Sequence, residues 1–138
     1  MERISAETAS AFAAAPVAAN RPERIAFAVR ALADLLQRNA PVMSPFMLLA
    51  NHDDVIATGG KAAYDEMTGE FERALLGPSS RGARQRRAAR WACTVAYSVL
   101  ARQLALGSDP GAAADYQLGQ VVDELTTMIA AYFAAQEG

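Results

Sequence analysis

Apolar residues in this chain recur at spacings of three and four and nowhere alternate, which leaves the helix as the only regular structure it can build. Six prolines, at positions 16, 22, 41, 45, 78 and 110, cut that pattern into segments. Residues 2–15 read as a short Ala-rich helix, stopped by Pro16 and the Asn20-Arg21-Pro22 turn. Pro22 suits the first turn of the next helix, where a missing N–H costs nothing. That helix, 22–39, carries Ile25, Val29, Leu32 and Leu36 on one face, and Asn39-Ala40-Pro41 should end it. A short apolar helix, 41–51, follows, with Pro45 placed in its first turn. The fourth, 53–76, starts behind Asp53 or Asp54 as cap and aligns Ala63, Met67, Phe71, Ala74 and Leu75. Inside it Gly59-Gly60 lowers helix propensity by about 1 kcal/mol each, inviting a kink. After the Gly77-Pro78-Ser79-Ser80 loop, a fifth helix spans 81–106 and should close at Gly107 with a left-handed cap. Beyond Ser108-Asp109-Pro110-Gly111 the sixth covers 112–135. The expected fold is all-α, a multi-helix bundle of about six helices. Residues 1–21 form a short N-terminal helix and turn, and 22–138 the main domain.

A length of 138 residues suits one domain, and 52% apolar residues, with thirty-two alanines, supply a core without disulfides or metal. One cysteine, Cys93, and one histidine, His52, exclude an internal disulfide and a four-ligand zinc site of the usual N/S kind. Net charge is −2, so no global field points to nucleic acid or an anionic membrane. Arginine outnumbers lysine 12 to 1, which with the alanine excess suggests a GC-rich, bacterial gene. The Ala9–Ala19 run follows a net-negative start and lacks the strongly apolar centre of a secretory signal. No stretch reaches the roughly 18 apolar residues of a membrane span. A cytoplasmic protein is expected.

Charge separates by segment. Residues 53–80 sum to −4, residues 81–108 to +6 with no acid, and residues 109–138 to −5 with no base. A basic helix between two acidic ones suggests antiparallel neighbours with complementary surfaces. The last helix carries a stripe of Leu118, Val121, Val122, Leu125, Met128, Ile129, Tyr132 and Phe133, wide enough for two neighbours. On the fifth, Ala89, Cys93, Ala96 and Leu100, with Ala88 and Ala92 beside them, make a ridge of small residues that lets another helix approach closely. Either these helices complete a monomeric core, or two such hairpins meet in a four-helix dimer interface. Periodicity does not separate the two.

Reactive constellations are scarce. His52-Asp53-Asp54 reads as a helix end followed by caps, because a catalytic acid must hold the imidazole from a separate site. Gly60-Lys61 fails as a phosphate loop: glycine is required where Val55 stands, and serine or threonine where Ala62 stands. Arg81, Arg84, Arg86, Arg87 and Arg90 crowd a helix start, where positive charge opposes the macrodipole. They pair with Asp65, Glu66, Glu70 and Glu72, remain solvated, or meet an anionic partner. Cys93, inside an apolar helix, reads as a small buried hydrophobe. No nucleophile, base or metal set can be assembled, so neither an enzyme nor a cofactor is expected.

The order of elements carries a likeness. Leu32 to Pro41 ends one helix, Phe46-Met47-Leu48-Leu49-Ala50 lies in the next, Ala89 to Arg102 forms a long helix closed by Leu106-Gly107, and Val122 to Phe133 ends the chain. Over residues 22–135 this resembles the C-terminal ligand-binding and dimerisation domain of tetracycline-repressor-type (TetR) transcriptional regulators. The motifs are diffuse and include no invariant chemical signature. The N-terminal helix-turn-helix of that family, with its Tyr-x-His-Phe motif, is absent, and residues 2–15 correspond at most to the tail of a connecting helix. The sequence is then an excised effector domain or a protein that does not bind DNA itself. The resemblance implies a homodimer with a chamber for a small, mostly apolar effector, walled by Met43, Phe46, Met47, Tyr64, Met67, Phe71, Trp91 and Tyr97, with His52 and Trp91 as polar probes. The plainer reading of these residues is core filling. The alternative for the whole chain is a stand-alone helical dimerisation module that docks a protein partner through its basic fifth helix.

Overall fold

The computed structural model describes residues 2–13, 20–49, 54–77, 82–106 and 116–137, and all their side chains except those at 2–5, 42–49, 56, 57 and 137. It contains five helices, and no strand among the described residues: α1 (Glu2–Ala13), α2 (Arg21–Leu49), α3 (Asp54–Leu76), α4 (Ala83–Gln103) and α5 (Leu118–Glu137). No helix among the described residues is long and apolar enough to cross a membrane.

The count falls from six to five because the expected second and third helices are one. Pro41 neither ends nor starts a helix; α2 runs through it and through Pro45. A proline inside a helix strips the carbonyl four residues back of its donor. For Pro41 that carbonyl belongs to Gln37, and both residues are exposed, so water takes the lost bond. Two residues before Pro41, Asn39 is buried and donates its side-chain amide to the Leu35 carbonyl at 2.8 Å and to Glu7 Oε2 of α1 at 3.0 Å. The polar group that reads as a stop signal instead joins two helices. At the other end of α2, Asn20 Oδ1 accepts the Glu23 N–H at 2.9 Å and caps the helix, with Pro22 in the first turn as expected.

Helix α2 packs on each of the other four. Ile25, Val29, Leu32 and Leu36 are fully buried, and Ala28, Ala31, Ala33 and Leu35 widen the face beyond an ordinary amphipathic stripe. Helix α1 shares this core: Phe12 is 3% exposed and sets its ring edge-on to Phe71 of α3, centroids 6.3 Å apart. The alanine-rich start is therefore packed into the same body as the segment from residue 22 onward.

Two helix ends decide where the chain turns. Gly77 follows α3 with φ +84°, and its N–H bonds the Arg73 carbonyl at 2.9 Å. Beside it the buried Arg24 guanidinium reaches the Ala74 carbonyl at 3.4 Å, placing positive charge at the negative end of the α3 dipole. Helix α4 ends earlier than Gly107. Ala105 takes the left-handed conformation, φ 58°, while Leu106 N–H bonds Ala101 O at 2.8 Å and Ala105 N–H bonds Arg102 O at 3.1 Å. This is a Schellman cap with alanine in the glycine position, sealed by buried Leu106. Helix α5 begins at Leu118, after a bend at Tyr116, where sequence periodicity places it at 112; residues 107–115 lie outside the described residues.

The two caps predict opposite outcomes in chemical denaturation. Ala105→Gly relieves the strained backbone and stabilises the fold by about 0.5–1 kcal/mol. Gly77→Ala places a Cβ 2.9 Å from Arg24 Cζ at a positive φ and destabilises it by about 1–2 kcal/mol.

Candidate functional site

Helices α3 and α4 run antiparallel, tied by side-chain contacts along their length. Arg90 Nε pairs with Glu72 Oε2 at 3.1 Å, Cys93 Sγ faces Thr68 Oγ1 at 3.9 Å, and Tyr64 meets Tyr97 ring edge to face, centroids 5.0 Å apart. The register follows from sequence. Tyr64, Thr68 and Glu72 are spaced by four on α3, and Arg90, Cys93 and Tyr97 by three and four on α4, so each set lies along one flank. The alanines Ala89, Ala92 and Ala96 let the two backbones come close.

The Tyr64–Tyr97 pair is half-buried and is the part of this seam with polar atoms near the surface. Tyr64 OH lies 3.5 Å from Thr94 Oγ1; Thr94 spends its own hydrogen on the Arg90 carbonyl at 3.1 Å, so the phenol is the donor. Thr68 likewise donates to the Tyr64 carbonyl at 2.9 Å and accepts from the Cys93 thiol. Burial, then the neighbouring Tyr64 and Cys93, push the Tyr97 phenol above its ordinary value. Burial pushes the Cys93 thiol up from 9.0 to about 11, with the Thr68 hydrogen bond opposing. Around the tyrosine pair the arrangement offers aromatic faces and hydroxyls to an uncharged molecule, with the Cys93 thiol buried beneath them.

Of the residues expected to wall a chamber, the structure joins Tyr64 and Tyr97 and places Met67 one position before Thr68, buried on the core side. Phe71 is fully buried against Phe12, as a core filler. Trp91, expected to probe the chamber, instead stands on the outer face of α4 at 56% exposure. Position 91 lies roughly half a helix turn from buried Ala89, Cys93 and Leu100, so the register that buries those residues turns Trp91 out. His52 and the side chains of Met43, Phe46 and Met47 lie outside the described residues. Thr68 and Thr94 had been passed over; their signal is the four-residue step from Tyr64 and from Arg90.

The stripes expected to form a dimer seam are mostly consumed within one chain. Ala89, Ala92, Cys93, Ala96 and Leu100 of α4, and Val121, Val122, Leu125, Ile129 and Phe133 of α5, are buried, with Leu118 and Tyr132 half-buried. They face the core, where α4 packs on α2, α3 and α5, and α5 on α2 and α4. Only Met128 of the stripe is exposed, at 62%. Three acids of α3 form ion pairs: Asp65 with Lys61 and Glu70 with Arg73 on the same helix, and Glu72 with Arg90 across to α4. Arg84 and Arg87 stay exposed at the start of α4, where Gly82 caps without a side chain; Arg81 lies outside the described residues. No protein family, curated protein or solved structure matched the chain on comparison.

The raised thiol sets a pH dependence. The folded state holds the Cys93 proton more tightly than the unfolded chain, so the thiol's contribution to stability is intact below about pH 9 and is lost as pH climbs to about 11. Denaturation midpoints should fall more steeply over that interval in the parent than in Cys93→Ala. A disulfide reagent at pH 8 should label the thiol only after unfolding.

Proposed function

We propose that this chain is the effector-binding and dimerisation domain of a TetR-type regulator, cytoplasmic and bacterial, that reversibly binds a small, mostly apolar molecule. The observation that carries the reading is the half-buried Tyr64–Tyr97 pair with Thr68, Thr94 and Cys93 beside it, at the end of the seam away from the Arg90–Glu72 ion pair. Aromatic faces with a few fixed hydroxyls suit a ligand that is largely apolar and carries one or two hydrogen-bonding atoms. The outward apolar side chains Trp91 of α4 and Met128 of α5 support a homodimer. A ligand wedged between α3 and α4 shifts a conformational equilibrium only by favouring one spacing of that pair. The ion pair between Arg90 and Glu72, at the far end of the seam, is the joint across which such a shift would pass.

A native mass spectrum of the purified protein tests this. The expected result is a dimer with a retained small-molecule mass, released by an apolar solvent. Tyr97→Ala should lose that mass while keeping its helical circular dichroism. If the protein carries nothing, and no member of a panel of uncharged aromatic and aliphatic compounds raises its melting temperature, the effector reading falls.

A further inference from the structure

Along the α3–α4 seam the hydroxyl hydrogens are not equally available. Thr68, Thr94 and Ser98 each donate to the carbonyl four residues back on their own helix, at 2.9, 3.1 and 2.8 Å. A hydroxyl on Cβ is short enough to fold back on its helix in this way, and its hydrogen is then committed. The Cys93 thiol is likewise directed at Thr68 Oγ1, at 3.9 Å. A phenol hydroxyl stands at the far side of a rigid ring and does not reach the backbone of its own turn. Tyr64 shows the consequence. Its hydroxyl has Thr94 Oγ1 at 3.5 Å, where an O–H···O bond settles at about 2.7–2.8 Å. The Tyr64 hydrogen is therefore weakly held, on a half-buried ring beside Tyr97.

A molecule that covers the tyrosine pair displaces water from the Tyr64 hydroxyl. If it brings an acceptor, the long contact to Thr94 is exchanged for one bond of ordinary length. If it brings none, the phenol hydrogen keeps only the long contact, and a bond left unmade under a covering ligand lowers affinity. A ligand that brings only a donor fares no better. It finds the lone pairs of Thr94 Oγ1 but leaves the phenol hydrogen unmet. We infer that this seam selects ligands that carry a hydrogen-bond acceptor, such as a carbonyl, ether or aromatic ring nitrogen, on an apolar body, and that Tyr64 makes the selection. Thr94 holds the phenol in the free protein and releases it on binding. The inference rests on the effector reading above and adds to it the class of ligand and the side chain that reads it.

Three fused aromatic bicyclics of nearly one shape test the inference. Quinoline has a ring acceptor, indole a ring N–H donor, and naphthalene neither. Their dissociation constants are measured by equilibrium dialysis at pH 8, where quinoline is neutral. Quinoline should bind the parent about tenfold or more tightly than naphthalene, and indole should gain nothing over naphthalene. Tyr64→Phe keeps the ring and removes the hydroxyl, so quinoline and naphthalene should then bind within about twofold of each other. Thr94→Val removes the competing oxygen and should keep or widen the quinoline preference. The ratio between ligands is the readout, since a variant that merely loosened the helix pair would weaken all three alike. Equal affinities in the parent, an indole preference, or a quinoline preference that survives Tyr64→Phe would overturn the inference and leave the effector reading standing. Should none of the three bind, the inference falls, and the effector reading falls with it only where the wider panel of uncharged compounds also fails.

Discussion

Burial of the Ile25–Val29–Leu32–Leu36 ridge on α2 is the constraint on which the other elements depend, because α2 packs against all four remaining helices. An ordinary surface helix buries one stripe. Here Ala28, Ala31, Ala33 and Leu35 join the ridge, and the helix is enclosed by α1, α3, α4 and α5. The polar residues admitted to this environment have defined duties. Arg24 neutralises the carbonyl end of α3, and Asn39 fastens α1 through Glu7. Each is a buried polar group given a partner, since an unmade bond there costs about 1–3 kcal/mol.

Small residues on α4 then set the distance to α3. The buried alanines 89, 92 and 96 lie on the packed side of α4, and Tyr64 and Tyr97 meet half-buried across the α3–α4 pair. Desolvation disfavours ionisation of both Cys93 and Tyr97. Charge is displaced to the outside, where Arg84 and Arg87 share a face of α4 with Trp91. An arginine-rich helix start gains nothing from its own macrodipole, which is the physical reason to seek its partner elsewhere.

Much of the helical content was legible in residue spacing. The ranges of α1 and α3, the start of α4, the place of Pro22 in the first turn of α2 and the all-helical class follow from three- and four-residue periodicity and from breakers at 16, 22 and 78. Buried positions 25, 29, 32, 36, 67 and 71 were legible for the same reason. The joined α2 was not, since whether a proline breaks a helix depends on which side faces water. Nor was the end of α4 at Ala105, where a buried Leu106 compensates a backbone state that local preference assigns to glycine.

Of the candidate site, the sequence by itself determined the cast: tyrosines, threonines, a lone cysteine and an arginine-rich helix. Helical phase also marked the small and the large faces of α4 and α5. Tertiary structure decided which of those faces is inside. Periodicity reports the angle between residues on one helix and carries no information about which neighbour occupies each angle. Packing against α2 and α3 took the alanine ridge and the α5 stripe into the core. It brought Tyr64 and Tyr97 together from 33 positions apart and turned Trp91 and Met128 outward.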